Sequence, residues 1–122
     1  MIDHMTLRVR DYASSKAFFL EALKPLGYSL LMEFRGNVCG LGEGGKPDFW
    51  IKQEGAHHEP MHLAFAARDR ATVDAFHRAA LAAGAQDDGA PGLRPQYHAG
   101  FYGAFVVTPD GHHLEACCHQ PQ

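Results

Sequence analysis

The sequence predicts an α+β protein in which two βαβββ modules form one domain. Three observations support this prediction: residues 4–23 recur as residues 62–81, each copy reads as a strand followed by a helix, and Gly-rich turns divide the sequence after each helix into short apolar segments. With 122 residues, of which 46% are hydrophobic and 20% charged, the chain is long enough to bury a core. The modules are predicted over 1–55 and 56–122.

The repeat places the same start signal before both predicted helices. HMTLRVRDYASSKAFFLEAL and HLAFAARDRATVDAFHRAAL align without a gap, and 8 of the 20 positions are identical. In both copies Arg-Asp follows the strand, so Asp11 and Asp69 stand where a side-chain oxygen caps the free N–H groups of a helix. The helices are predicted over 13–24 and 71–83, because a proline follows the first and a glycine follows the second.

The remaining strands are predicted from apolar segments between turn residues. They are YSLLMEF (28–34), VCGLG (38–42), DFWIKQ (48–53), a short strand at 85–87, FYGAFVVT (101–108) and HHLEACC (112–118). Residues 54–60 are expected to link the modules, and DGAPGLRPQYHAG (88–100) is expected to form a long loop. Loops of that length are usually functional or mobile.

Composition and charge argue against several classes of partner. The formal charge is −3 and the pI is about 6.3, with Lys and Arg scattered, so no surface for nucleic acid is expected. No membrane interaction is expected either, since no apolar run approaches the roughly 18 residues of a membrane span and the N-terminus lacks the pattern of a signal peptide. The three cysteines are an odd number, and a bond between the adjacent Cys117 and Cys118 would be strained, which indicates a reduced, cytoplasmic protein. No CxxC spacing of a metal site is present.

Side-chain alternation groups polar residues on one face of several strands. His4 and Thr6 share the face of the first strand that points away from the helix, and His62 is the equivalent of His4 in the second copy. Glu115 lies amid apolar residues of the last strand, on the face that it shares with His113. If the modules assemble about a pseudo-twofold axis, His4, His62 and Glu115 form a two-His, one-carboxylate metal site with open coordination positions. The alternative is that these histidines are surface residues and that Glu115 faces solvent.

The stretches IDHMTLRVRDYASSKAFFLEAL, MHLAFAARD and FYGAFVVTPDGHHLEACCH resemble the vicinal oxygen chelate superfamily. This superfamily includes glyoxalase I, fosfomycin and bleomycin resistance proteins, and extradiol dioxygenases. The resemblance covers nearly the whole chain, and PDGHHLEA is its most specific part. It implies that the paired modules form an open, cup-shaped mixed sheet with the helices outside and a divalent metal inside. The family's ligand positions fall on His4, His62 and Glu115, the residues that side-chain alternation also selects.

The resemblance also implies roles for two residues of the first module. Trp50 stands where glyoxalase I has a fourth ligand, so three protein ligands are expected, and its indole is expected either to line a substrate site or to fill the cup or a subunit interface. Thr6 stands where fosfomycin resistance proteins have a Thr that assists nucleophilic attack.

The function that the resemblance implies is that of a divalent-metal-dependent enzyme, with Zn, Ni, Co, Mn or Fe. It would act as a lyase or isomerase of lactoylglutathione-lyase type, or in thiol transfer, on a small substrate that chelates through two oxygens, with Glu115 at the reacting atoms. The alternatives are a metal-free drug- or metabolite-binding protein of bleomycin-resistance type, a fosfomycin-modifying transferase and an extradiol-type dioxygenase.

The segment GLRPQYHAGFY, which covers the second half of the predicted long loop and the start of the next strand, carries residues suited to bind and convert a substrate. Arg94 can grip a carboxylate or phosphate. Tyr97 and His98 can transfer protons near neutral pH, and Tyr102 can donate a hydrogen bond. The alternative is a surface loop or a dimer contact.

His57, His58, His112 and His119 are assigned to the surface or the termini. A homodimer is expected, because an open cup leaves sheet edges and apolar surface for a second copy to cover. The sequence leaves open whether the site is built within one chain or across two.

Overall fold

The computed structural model describes residues 1–55 and 59–119. Its elements in chain order are β1 (Met5–Val9), α1 (Tyr12–Ala22), a 3-10 turn (Lys24–Leu26), β2 (Ser29–Phe34), β3 (Val38–Gly42), β4 (Phe49–Gln53), β5 (His62–Ala66), α2 (Arg70–Ala82), β6 (Gln86–Leu93), β7 (Tyr102–Val107) and β8 (His113–Cys118). The α+β class and the two βαβββ modules are confirmed. Part of the predicted linker 54–60 and the start of the second predicted module lie outside the described residues.

The strands form two four-stranded mixed sheets of the same topology. Their orders are β1-β4-β3-β2 and β5-β8-β7-β6. In each sheet the first strand of the module pairs in parallel with the last strand, and the other pairs are antiparallel. The strand that carries His62 is therefore the direct neighbour of the strand that carries Glu115, and this pairing creates the candidate site.

Both helices begin at the aspartate that the sequence predicts as the cap. Oδ1 of Asp11 accepts a hydrogen bond from the backbone N–H of Ser14 at 3.1 Å, and Oδ1 of Asp69 accepts one from Thr72 at 2.8 Å. The glycine after the second helix, Gly84, has a left-handed φ of 111° that favours glycine at the end of a helix. Among the described residues no helix is long and apolar enough to cross a membrane.

One apolar core spans the two modules. The helices contact each other, and a single cluster of buried side chains includes residues from both repeats. Phe65 of β5 joins the modules, because its ring lies edge-on to the rings of Tyr28 and Phe49 with centroid distances of 5.5 and 5.3 Å. Each sheet therefore has one face on this core and one open face.

The sixth strand is longer than the sequence predicts. The predicted strand at 85–87 and loop at 88–100 are wrong at their common boundary, because β6 continues to Leu93. It is an edge strand with register shifts on either side of Gly89, and an edge strand tolerates Pro91 because one side of its backbone has no partner strand. The Gly and Pro residues that read as a loop are those of an irregular edge strand.

The assignment of His112 to the surface is wrong. The residue is 2% exposed and packs between the β7–β8 turn and the start of β5. His119 is exposed, as expected, and His57 and His58 lie outside the described residues.

Candidate metal and substrate site

The open faces of the two sheets follow the side-chain alternation that the sequence predicts. In β1, Leu7 is buried and Thr6 is exposed, and in β5, Leu63 is buried and His62 is exposed. Thr6 and His62 therefore lie on the sheet faces turned away from the core, as side-chain alternation predicts.

Glu115 and His62 are in direct contact on the open face of the second sheet. In the parallel pair β5–β8, Ala64 is opposite Glu115 and His62 is opposite His113, so the histidine and the glutamate are diagonal neighbours. Nε2 of His62 contacts Oε2 of Glu115. The glutamate side chain is 8% exposed, whereas the histidine side chain is 65% exposed. Glu115 is thus a buried carboxylate held by an imidazole that solvent reaches.

His4 directly precedes β1 of the first sheet and does not meet this pair. Its side chain is 57% exposed, and its Nδ1 is 2.7 Å from Oδ2 of Asp3. The strand that follows it, β1, pairs with β4 and not with β5 or β8. Within residues 1–55 and 59–119, no group of three His, Cys, Asp or Glu side chains is placed to hold a metal ion. One chain therefore brings together two of the three predicted ligands.

The donors of the pair suit a divalent metal ion, but they do not complete a site. An imidazole nitrogen and a carboxylate oxygen are ligands of zinc and of Fe(II). Burial of Glu115 also fits, since a carboxylate away from water needs a cation or a donor close by. Two donors are one short of the usual three protein ligands, so a third must come from outside the pair.

A cleft of about 320 Å³ opens beside His62 on the second module. It is lined by His62, Asp88, Arg94, Tyr97, Phe105, Val106, His113 and Leu114. Arg94 and Tyr97 are residues that the sequence predicts for substrate binding and catalysis, whereas neither Asp88 nor His113 was assigned a role. Side-chain alternation placed His113 on the face of Glu115, while no local pattern distinguished Asp88 from the other residues of the predicted loop.

Arg94, which lines this cleft, is fixed by contacts with its neighbours. Its guanidinium lies 5.2 Å from the centroid of the Phe105 ring, and its Nη2 donates a hydrogen bond to the carbonyl of Ala90 at 2.8 Å. A Cβ on Gly89 would lie 3.0 Å from the Phe105 ring and 3.2 Å from Arg94 Nη2, so glycine gives both side chains room. No carboxylate among the described residues forms an ion pair with Arg94, so its charge is available to an anionic ligand.

The three other polar residues predicted on this segment differ in position. Tyr97 lines the cleft, is 59% exposed, and packs edge-on against Phe101. His98 is not a lining residue: its ring lies 4.6 Å from the ring of His119. Tyr102 is on the helix side of the sheet, where its hydroxyl donates to Oδ1 of Asp74 on α2 at 2.6 Å. Of these residues, the structure brings Tyr97 alone to the cleft.

Thr6 and Trp50 are neighbours on the open face of the first sheet, the same face as His4. They are opposite each other in the parallel pair β1–β4. The indole lies over Gly40, where a Cβ would be 2.9 Å from Trp50 Cζ2, and stacks on the ring of Phe34 at a 9° interplanar angle. Phe34 is 48% exposed, so this face presents an aromatic surface to solvent.

The cysteines are not set up as ligands or nucleophiles. Cys39, Cys117 and Cys118 are buried thiols that form no disulfide. Burial raises the pKa of Cys39 and of Cys117, and the neighbouring Glu115 carboxylate raises the pKa of Cys117 further. Both thiols therefore stay protonated near neutral pH, whereas a ligand or nucleophile must be a thiolate.

Comparison with known proteins gives a family match over nearly the whole chain. The model described as Glyoxalase/Bleomycin resistance protein/Dioxygenase superfamily matches residues 1–116. None of the curated proteins matches the chain significantly.

Solved structures of similar proteins share the fold. A glyoxalase/bleomycin resistance protein from Albidiferax ferrireducens T118 is 27% identical with a TM-score of 0.79, and the alignment covers 97% of each chain. A glyoxalase/bleomycin resistance protein/dioxygenase family enzyme from Burkholderia phytofirmans PsJN is 19% identical with a TM-score of 0.72 and 98% coverage of both chains. A lactoylglutathione lyase from Agrobacterium tumefaciens is 17% identical with a TM-score of 0.71, covering 97% of this chain and 92% of that one.

Proposed function

The chain belongs to the Glyoxalase/Bleomycin resistance protein/Dioxygenase superfamily, and on that premise we propose that it is a divalent-metal-dependent enzyme. Its substrate is a small molecule that chelates through two oxygens, and its reaction is of the lyase, isomerase or thiol-transfer type, as in lactoylglutathione lyase. A bound cation would supply Lewis-acid polarisation of the substrate oxygens. The observation that carries the proposal is the contact between His62 and the buried Glu115.

The third ligand is His4 of a second copy of the chain. Within one chain His4 directly precedes a strand of the first sheet and is exposed, while the His62–Glu115 pair is open to solvent on its histidine side. A homodimer that brings the open face of the first sheet onto the second sheet of its partner would complete the donor set. The exposed Phe34 and the stacked Trp50 would then be covered, which favours such an assembly.

The other predicted site residues bind the substrate or transfer protons. Arg94 binds an anionic group of the substrate, since its guanidinium faces the cleft without an acidic partner among the described residues. The Tyr97 hydroxyl is the proton donor or acceptor, because it is in the cleft and exposed. Thr6 and Trp50 enter the site together with His4, as they share its face.

Metal content of the purified protein tests the proposal. After loading with zinc and gel filtration, the wild type is expected to retain near-stoichiometric metal, and His62→Ala, Glu115→Ala and His4→Ala are expected to lose it. His113→Ala is the matched control, since this exposed histidine lies on the same face and is directly opposite His62. Loss of metal in His113→Ala with retention in His4→Ala would move the third ligand into the same chain.

A metal-free binding protein is the second candidate. It is favoured by the absence of any three-donor group within the described residues of one chain. The Trp50–Phe34 stack and the Arg94–Phe105 pair would then be the walls that bind a drug or metabolite. A wild type that retains no metal, together with retention of an aromatic anion in equilibrium dialysis, would establish this function instead.

We further propose a reducing, cytoplasmic location. Cys39, Cys117 and Cys118 are buried and form no disulfide, which is typical of proteins in a reducing compartment.

A further inference from the structure

A buried histidine outside the cleft, His112, links the first module to the strand that carries His62. The residue precedes β8 and is 2% exposed. Its Nδ1 accepts a hydrogen bond from the backbone N–H of Met61 at 3.0 Å. Its own backbone N–H donates to Oγ1 of Thr108 at 3.0 Å, and its carbonyl accepts from the N–H of Thr108 at 2.8 Å. The backbone that carries the ring is therefore fixed by two hydrogen bonds.

The tautomer of His112 follows from these partners. A backbone N–H can only donate, so Nδ1 has no proton and the ring proton is on Nε2. Nε2 is 3.5 Å from Oδ2 of Asp110, whose side chain is 13% exposed. The carboxylate therefore faces the nitrogen that bears the proton, which stabilises the tautomer that can accept from Met61.

Asp110 is in turn held by the first module. Nε of Arg10 donates to Oδ1 of Asp110 at 2.9 Å, and Nη2 of Arg10 donates to the Asp110 carbonyl at 2.7 Å. Arg10 directly precedes the cap of α1. The chain of contacts thus runs from the start of α1 through the β7–β8 turn to His112 and Met61.

Met61 is the residue before His62, and both of its backbone polar groups are bound by the start of β8. Its N–H is bound by the His112 ring, and its carbonyl accepts from the N–H of His113 at 2.8 Å. Glu115 is on the same strand β8. The backbone immediately before His62 is therefore fixed to the strand that carries the carboxylate.

We propose that His112 is a positioning residue: by accepting from the Met61 amide, it sets the location of His62 opposite Glu115. The expected consequence, which rests on the proposed function, is that His112 raises the metal affinity of the site without contacting the metal. Residues that orient metal ligands typically change affinity by about 10- to 100-fold when replaced.

The test compares four proteins by two measurements. The proteins are the wild type, His112→Phe, His112→Asn and His77→Phe. The measurements are the dissociation constant for zinc and the ¹H–¹⁵N spectrum of the His62 ring in the metal-free protein. Phe keeps the ring but removes the acceptor, whereas Asn keeps an acceptor atom where Nδ1 stands. His77 is the matched control, since it is also a buried histidine paired with an aspartate, at 2.9 Å from Asp87, but it is on α2 away from His62.

His112→Phe is expected to shift the His62 ring signals and to weaken zinc binding about 10- to 100-fold. His112→Asn is expected to restore both to near the wild-type values, and His77→Phe is expected to lose stability without changing either. If His112→Phe loses stability but keeps the ring signals and zinc affinity, the residue is merely structural and the inference is wrong. If His112→Phe does not fold, Asp110→Ala decides by the same measurements, with a smaller shift in the same direction expected.

The two proposals fail in distinguishable ways. A wild type that binds no zinc overturns the proposed function, while the His62 ring signals of the metal-free variants still decide whether His112 positions this residue. If the wild type binds zinc but His112→Phe leaves the His62 ring signals unchanged, the positioning role alone is overturned.

Discussion

The contact between His62 and Glu115 predicts opposite stability changes when its two ends are replaced in metal-free protein. His62→Ala leaves a carboxylate that is 8% exposed without its imidazole. Loss of one partner of a fully buried pair costs about 3–5 kcal/mol. Because the His62 side chain is 65% exposed, water compensates for much of this, and a loss of about 1–2 kcal/mol is expected.

Glu115→Leu is expected to have no cost or to stabilise by about 1–2 kcal/mol, because a buried charge is replaced by an apolar side chain. Its neighbours across the strands are Ala64 and Phe105, which an apolar side chain can contact. If Glu115 lowers the stability of the metal-free protein, its role is in binding a ligand and not in stabilising the fold.

The assay is urea unfolding of the metal-free proteins at pH 7, with His113→Ala as the control. That variant removes an exposed histidine from the same face and is expected to change the free energy of unfolding by about 0.5 kcal/mol or less. The two variants at the contact should differ from each other by roughly 1–4 kcal/mol. If Glu115→Leu destabilises the protein as much as His62→Ala does, the pair is a structural bridge and the reasoning is refuted.

Four further predictions follow from other contacts. Arg94→Ala is expected to weaken binding of oxalate, a chelating dianion, by about tenfold or more, with Arg94→Lys restoring little, because a lysine cannot reproduce the guanidinium fork; equal affinity in isothermal titration would contradict this. The hydrogen bond from Lys16 lowers the pKa of Glu33 from its ordinary 4.5, so its contribution to stability is present above that value and is lost as the pH falls through the lowered pKa; Glu33→Gln should flatten the fall in the free energy of unfolding over that acid range, and an unchanged profile would count against it. Tyr102→Phe should reduce stability by about 1 kcal/mol through loss of the bond to Asp74 but leave metal content unchanged, whereas loss of metal would return this residue to the site. Arg10→Ala and Asp110→Ala should be non-additive in urea unfolding, with a coupling of about 1 kcal/mol across the two modules, and simple additivity would show that the contact contributes nothing.

The fold was predictable because the local signals agree with one another. The cap residues, the glycine after α2 and the alternation along β1 and β5 each point to the element that forms. The error at β6 has a physical cause: Pro91 and Gly89 read as a loop in isolation, but an edge strand needs hydrogen bonds on one side alone and tolerates both.

The candidate site was predictable to the extent that it depends on alternation and strand order. His62 and Glu115 share a face and lie on adjacent strands, so their contact follows from the pattern. Whether His4 joins them depends on how the two sheets are arranged, which no local pattern encodes. The same is true of His112, whose burial depends on contacts with Met61 and Asp110. Met61 is distant in the sequence, and the sequence does not show where the side chain of the nearby Asp110 points.

The most direct test of the account is metal binding by mixed dimers. His4→Ala and Glu115→Ala each lack one ligand, so neither is expected to retain metal alone. If the site takes His62 and Glu115 from one chain and His4 from the other, unfolding and refolding the two variants together in equal amounts restores one intact site in each mixed dimer. Random pairing then gives about one quarter of the wild-type metal content. Recovery of that fraction is the predicted result, and no recovery, with each variant refolded normally, would contradict the shared site.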